Sequence, residues 1–261
     1  MHRTLRRLVP AVLAVAALGA AAPAHADNYV ALGDSYSSGV GTRSYTLDST
    51  CQRSVYAYPY LVSQQRPNTS LKFVACSGAK TTDVMNNQIS AVTSSTNIVT
   101  ITIGGNDAGF SSVITKCAEP WPVNCDGDIT SAQSFITNTL PGKLNTVYSA
   151  IKSRAAANAT VVVLGYPRLF MGVDCNAGTF FSTDEMTKLN ATADLLKSVE
   201  SARAAAYGFS FKDAIPAFTG HAVCSSSEWL NGLSNPISES YHPNRTGQAS
   251  GYLPLVRSVI G

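Results

Sequence analysis

Short apolar runs alternate along this chain with longer stretches in which apolar residues recur every three or four positions. Tyr29-Val30-Ala31-Leu32, Leu71-Lys72-Phe73-Val74-Ala75, Ile98 to Ile103 and Thr160-Val161-Val162-Val163-Leu164 read as buried strands, and Phe209-Ser210-Phe211 as a weaker fifth. They are short and rich in β-branched residues. The first, third and fourth end at Gly33, Gly104-Gly105 and Gly165, as strands punctuated by turns should. Helical periodicity covers residues 54–65, 130–157 with a break at Pro141, 182–207 and 246–259. The third of these is the clearest: Met186, Leu189, Ala193 and Leu196 share one face, and Ser182 with Glu185 forms a capping box at its start. Strands alternating with helices imply parallel crossovers. The expected architecture is a three-layer α/β/α sandwich around a mainly parallel five-stranded sheet, of the flavodoxin-like kind.

The amino end breaks this rhythm. Arg3, Arg6 and Arg7 precede an apolar stretch from Leu8 to Ala22, and Ala24-His25-Ala26 has the small-x-small form of a cleavage site. Residues 1–26 therefore read as a secretory signal, with the mature chain starting near Asp27. The apolar run is short for a bilayer core of about 30 Å. No repeat, low-complexity tract or linker divides residues 27–261, which read as one domain. The expected location is extracellular and the expected state monomeric.

Composition narrows the function. The chain is 45% hydrophobic and 13% charged, which excludes a disordered polymer. Its formal charge of +3 comes from the three signal arginines; beyond residue 26 there are 16 basic and 16 acidic residues. No cationic surplus is left to displace the counterions of a nucleic acid, so no nucleic-acid partner is expected. Cys51, Cys76, Cys117, Cys125, Cys175 and Cys224 all lie in the exported part. Zinc binding would want C-x-x-C pairs or clustered histidines, and neither is present. Three disulfides are expected. Fifteen pairings are possible, and sequential pairing is favoured: Cys51–Cys76, Cys117–Cys125 and Cys175–Cys224.

In a parallel sheet, ligands bind beyond the carboxyl ends of the strands. Gly33-Asp34-Ser35-Tyr36, Cys76-Ser77-Gly78-Ala79 and Gly104-Gly105-Asn106-Asp107 follow the first three strands, and Glu239-Ser240-Tyr241-His242-Pro243-Asn244 opens the last helix. A serine hydroxyl becomes a nucleophile when a base removes its proton, and imidazole is suited to that near neutral pH. Only His221 and His242 lie beyond the signal. His242, held before a Pro-Asn helix start, is the better candidate. Acyl transfer also needs donors for a developing oxyanion, and the backbone N–H groups of Ser35 and Gly78 with the Asn106 amide fit. The chain has no G-x-S-x-G elbow, which disfavours an ordinary α/β-hydrolase.

These segments, in this order, resemble the four blocks of the SGNH (GDSL) hydrolases, and in particular the secreted streptomycete lipases and phospholipases A1. The resemblance spans essentially all of residues 27–261. It implies Ser35 as nucleophile, His242 as general base and then acid, and Ser35, Gly78 and Asn106 as the oxyanion hole, with no metal or cofactor. Many members place Asp three residues before the histidine, where this chain has Glu239. Some relatives use a main-chain carbonyl two residues before it, here that of Ser240. The Ser240 carbonyl is the expected orienting group, with Glu239 as the alternative. The implied substrate is a lipid or phospholipid ester, met in transient contact with lipid aggregates. Apolar residues at 166–171, Phe180, Phe181, Trp229, Leu230 and Leu233 are candidates for an acyl-chain lining, and Arg168 for a phosphate contact. A carbohydrate esterase of the acetyl-xylan type, or a secreted binding module without catalysis, are the alternatives.

Overall fold

The structure, a computed structural model, describes residues 27–261; the signal assigned to residues 1–26 lies outside the described residues. In chain order the main elements are β1 (Asp27–Gly33), α1 (Ser35–Ser38), α2 (Tyr58–Gln65), β2 (Thr69–Phe73), α3 (Thr81–Asp83), β3 (Ile98–Thr102), α4 (Phe110–Cys117), α5 (Asp126–Asn138), α6 (Leu140–Arg154), β4 (Thr160–Leu164), α7 (Thr183–Ala206), β5 (Ser210–Lys212), α8 (Ala214–Phe218) and α9 (Leu253–Ile260). A π-helical turn over Val84–Gln88 and a 3-10 turn over Ile89–Ala91 extend α3.

The five strands form one sheet in the order β2-β1-β3-β4-β5, with every neighbouring pair parallel. Its central strand β3 is buried along its whole length, as a strand covered by helices on both faces must be. Helices α2 and α9 pack together on the sheet, while α5, α6 and α7 pack as a second group. The chain leaves β1 toward β2 on one side and leaves β3 toward β4 on the other. The topological switch point therefore lies between β1 and β3, where a ligand crevice is expected.

The boundaries differ from the sequence reading in physically instructive ways. The second strand was expected over residues 71–75 but runs from Thr69 to Phe73. The N–H groups of Val74 and Ala75 both reach the Ala31 carbonyl, at 2.9 and 3.0 Å, so the ladder bulges and the chain turns away. The helix expected from residue 54 starts at Tyr58, with Pro59 in its first turn. Ser54 instead closes a turn by accepting the Tyr56 N–H at 3.0 Å. The 130–157 segment divides at Thr139, with Pro141 opening α6. The last helix begins as a π-helical turn, Gly247–Tyr252, before α9. Pro254 has no N–H to offer a preceding carbonyl, which relaxes regular pairing at that junction.

The six cysteines are joined as Cys51–Cys76, Cys117–Cys125 and Cys175–Cys224. Cys76 lies just past β2, and the Cys117–Cys125 bond closes the loop between α4 and α5. Among the described residues, no helix is long and apolar enough to cross a membrane.

Candidate active site

The Ser35 turn is built from the end of β1. Gly33 has φ +123°, and a Cβ there would meet the Thr102 carbonyl oxygen at 2.5 Å and Ser37 Oγ at 2.6 Å, so the turn needs glycine. The Gln88 side chain satisfies both backbone groups of Gly33, accepting at 2.8 Å and donating at 2.9 Å. Asp34 caps α1 by accepting the Tyr36 N–H at 3.0 Å. Ser35 is thus the first residue of a helical turn, where a backbone N–H has no intrahelical partner. Ser37 fixes α1 to β3, with its Oγ 2.7 Å from Thr102 Oγ1.

Residues 230–243 bring the histidine to this turn. Asn231 holds the segment in a strand-like pairing: its N–H donates to the His242 carbonyl and its own carbonyl accepts the Tyr241 N–H, each at 2.9 Å. Tyr36 OH donates to the Tyr241 carbonyl at 2.8 Å, tying the two loops directly. His242 Nε2 lies 2.8 Å from Ser35 Oγ, and its Nδ1 lies 2.8 Å from the Ser240 carbonyl oxygen. A carbonyl only accepts, so Nδ1 carries the proton and Nε2 is free to accept from the serine. Desolvation pulls the imidazole down to about 4, against the opposing effect of the Ser240 carbonyl.

Glu239 does not take up the alternative place beside His242. Its buried carboxylate accepts from Tyr45 OH at 2.7 Å and pairs with Arg43 at 3.5 Å. It joins the loop after α1 to the histidine loop. His221 is elsewhere: its ring stacks on Trp229 with centroids 3.8 Å apart, and Nδ1 meets the Ser227 carbonyl at 2.7 Å.

The turns after β2 and β3 meet around Asn106. One N–H of its amide donates to the Ala79 carbonyl at 3.1 Å, which seats Asn106 against the residue after Gly78. Asp107 holds the same turn from behind, accepting the Thr81 N–H at 2.8 Å and the Thr81 hydroxyl at 2.6 Å. Gly78 has φ +77°, and a Cβ there would meet no atom within 4 Å. It lines a neighbouring cleft with Cys76 and Ala79, while Ser35, Asn106 and His242 share one narrow crevice of about 40 Å³.

Two residues carry supporting roles that the sequence did not assign to them. Asp34 is buried, and desolvation pushes its carboxyl up to about 6 against the donors that surround it. Tyr166, at the end of β4, donates to the Asp34 carboxylate, and its own oxygen accepts the Gly105 N–H at 3.3 Å. It also packs edge-on to Tyr36 at 5.0 Å. One phenol thus spans the Ser35 turn and the Asn106 turn. Its position directly after a strand was the available signal.

The expected lining divides. Tyr166 and Pro167 line the crevice, but Leu169, Phe170, Phe181 and Leu230 are core residues. Arg168 makes a two-pronged pair with Asp194 at 3.0 and 2.7 Å, the structural ion pair that the sequence allows equally with a phosphate contact. Trp229 packs on His221 and Phe218. Phe180 and Leu233 line a second, larger groove of about 590 Å³ with Ile114, Ile237 and Tyr241. Tyr36, Phe110 and Ser111 line both spaces, so the groove lies directly beside the serine crevice.

A parallel sheet with a hydroxyl and an imidazole in contact at its switch point defines a class: α/β proteins equipped for serine-based acyl chemistry. The sequence pattern of the GDSL-like Lipase/Acylhydrolase family matches residues 31–249, and the chain belongs to that family. It is 47% identical to Lipase 1 of Streptomyces coelicolor over 252 residues, covering 95% of this chain and 92% of that protein. The crystal structure of an extracellular lipase from Streptomyces rimosus superposes with a TM-score of 0.84 at 45% identity, covering 90% of this chain and 100% of that one. A phospholipase A1 from Streptomyces albidoflavus NA297 gives the same TM-score at 47% identity, covering 90% and 99%.

Proposed function

We propose that this protein is an exported lipid ester hydrolase of the lipase and phospholipase A1 type, acting through an acyl-Ser35 intermediate. The observation that carries the reading is the 2.8 Å contact between His242 Nε2 and Ser35 Oγ at the switch point. His242 takes the Ser35 proton as Oγ attacks the ester carbonyl carbon. The N–H groups of Ser35 and Gly78 and the Asn106 amide receive the charge that develops on the carbonyl oxygen. Collapse breaks the ester bond, and the imidazolium gives its proton to the departing alkoxide. Water then attacks the acyl carbon with His242 again as base, and Ser35 recovers its proton as the fatty acid leaves. The Ser240 carbonyl keeps the imidazole in the required tautomer.

Lipid specificity is supported by the relatives and by the groove. A space of about 590 Å³ with Phe110, Ile114, Phe180 and Leu233 in its walls suits an acyl chain better than a sugar. The test is product analysis on phosphatidylcholine with distinct acyl chains, beside triacylglycerol and acetylated xylan. Free fatty acid from the lipids supports the reading; turnover confined to acetylated xylan overturns it. The 1–26 pattern and the extracellular relative support export, and mass analysis of the secreted chain should find its amino terminus near Asp27.

Glu239→Ala is expected to keep kcat within about tenfold, because the His242 proton is held by the Ser240 carbonyl. A triad carboxylate would cost about a thousandfold or more. The same variant should lose stability, since removing one partner of a buried hydrogen bond costs about 1–3 kcal/mol. Kinetics and thermal melting of one preparation read both effects.

The pH profile follows from the imidazole. Only its neutral form is a base, and protonation occurs at about 4 in the folded protein. On acidifying, kcat/KM on a soluble ester should therefore lose its base near pH 4, below the unperturbed value of about 6.5. A limb near 6 would belong to Asp34, and Asp34→Asn would abolish it. A limb at 6.5 surviving that substitution would contradict the low imidazole value.

A further inference from the structure

Three large apolar side chains of the groove wall, and Trp121 one residue past the wall residue Pro120, face solvent: Trp121 is 90% exposed, Ile237 71%, Phe180 56% and Leu233 38%. Phe180, Leu233 and Ile237 line the groove itself, and Trp121 follows Pro120, which also lines it. They come from three separate segments. Trp121 stands in the short loop closed by the Cys117–Cys125 disulfide, and Phe180 follows Cys175, which is bonded to Cys224. Disulfide-held loops thus present side chains that have little packing role of their own.

We infer that this rim is a docking surface for a zwitterionic phospholipid layer, placing Trp121, Phe180 and Ile237 among the lipid headgroups so that an acyl ester enters the groove directly. The inference rests on the lipid-ester reading of the site. Three observations choose this occupant. The groove behind the rim shares Tyr36, Phe110 and Ser111 with the wall of the Ser35 crevice, so whatever covers the rim lies directly beside the substrate entrance. The nearby charges give the rim no cationic surplus: Lys116 pairs with Glu119 at 3.6 Å, and Asp174, held by the neutral Thr179 hydroxyl and Phe181 N–H, keeps its negative charge. Such a rim needs no anionic lipid. The exposed apolar area is on the order of 500 Å², given that a large aromatic offers about 150–250 Å². That falls short of the roughly 800 Å² per partner of a stable protein interface, whereas a few apolar anchors suffice at a lipid surface. Trp is suited to that boundary because its ring is apolar and its N–H remains hydrated.

The test separates docking from catalysis by using the Ser35→Ala protein with phosphatidylcholine vesicles, with and without bromine-labelled acyl chains. The sequence has two tryptophans, Trp121 and Trp229, and the second is stacked on His221. Expected are cosedimentation with vesicles and bromine quenching of tryptophan emission that disappears in Trp121→Ser. Trp121→Ser with Ile237→Ser, in the same background, should weaken partition at least tenfold. With Ser35 restored, that pair should lower the ratio of vesicle to soluble-ester turnover at least tenfold. Absent quenching, or undiminished partition of the double variant, while the parent enzyme hydrolyses phosphatidylcholine, overturns the docking inference alone. A parent that hydrolyses neither vesicles nor a soluble ester overturns the lipid-ester reading beneath it. A dimer that dissociates in the double variant would reassign the rim to a second copy and overturn the inference.

Discussion

Ser35→Ala is expected to lower kcat by about 10⁴-fold or more, with the fold intact. Its hydroxyl is the atom that His242 Nε2 faces at 2.8 Å, and the described contacts give it no second partner. Losing it therefore removes one hydrogen bond and a small buried volume, while the Asp34 cap, the Ser37–Thr102 contact and the Gln88 clamp on Gly33 remain. Thermal melting should move by no more than a few degrees, on the order of 1 kcal/mol for one hydrogen bond. The residual rate should resemble what pre-aligned donors and binding supply without a nucleophile. A fluorophosphonate probe should label the parent at Ser35 and leave the variant unlabelled. Retention of a tenth of the parent activity, or labelling of a different residue, would remove Ser35 from the reaction.

The meeting of Ser35 with His242 was legible because of where the chain must end its strands. A parallel sheet exposes the residues after each strand at one edge, so Ser35 and Asn106 needed only the strand assignments to be placed together. His242 followed from scarcity, since residues 27–261 contain just two histidines. The strand order could not be read from the alternation of strands and helices, because periodicity says nothing about which strands are neighbours. Nor could the depth of Asp34: a carboxyl beside a serine looks like turn chemistry, and its burial depends on Tyr166 arriving from β4, 132 residues later.

The misses have a common cause. Short or irregular elements are stabilised by side chains that arrive from elsewhere. The α3 region, with its π and 3-10 turns, carries no clean period, yet it supplies Gln88 to Gly33 and Thr81 to Asp107. Helix α4 did carry a signal, with Phe110, Val113, Ile114 and Cys117 at helical spacing, but it is short and follows the glycine-rich turn. The lining expected from residues 166–171 failed for a similar reason. Apolar composition marks burial, and Leu169 and Phe170 are buried in the core, while the groove draws on residues from distant loops.

Asn106→Ala is expected to cost about 10²–10³ in kcat, or roughly 2.7–4 kcal/mol, with little change in KM. The amide would act on the charge of the tetrahedral intermediate, which the bound ester does not yet carry, so ground-state affinity should be nearly unchanged. The substitution also removes the 3.1 Å bond from Asn106 to the Ala79 carbonyl, and a displaced Gly78 turn would give a loss of its own. Thr81→Val separates the two effects. It breaks the 2.6 Å hydroxyl bond to Asp107 that braces the same turn, but leaves the Asn106 amide and the 2.8 Å backbone bond from Thr81 to Asp107 in place. Thr81→Val should therefore lose less than about tenfold, since a typical intramolecular hydrogen bond contributes about 0.5–1.5 kcal/mol net. If both variants fell equally, and KM rose with each, the turn would be acting through position alone. A large kcat loss confined to Asn106→Ala would assign the developing negative charge to its side-chain amide.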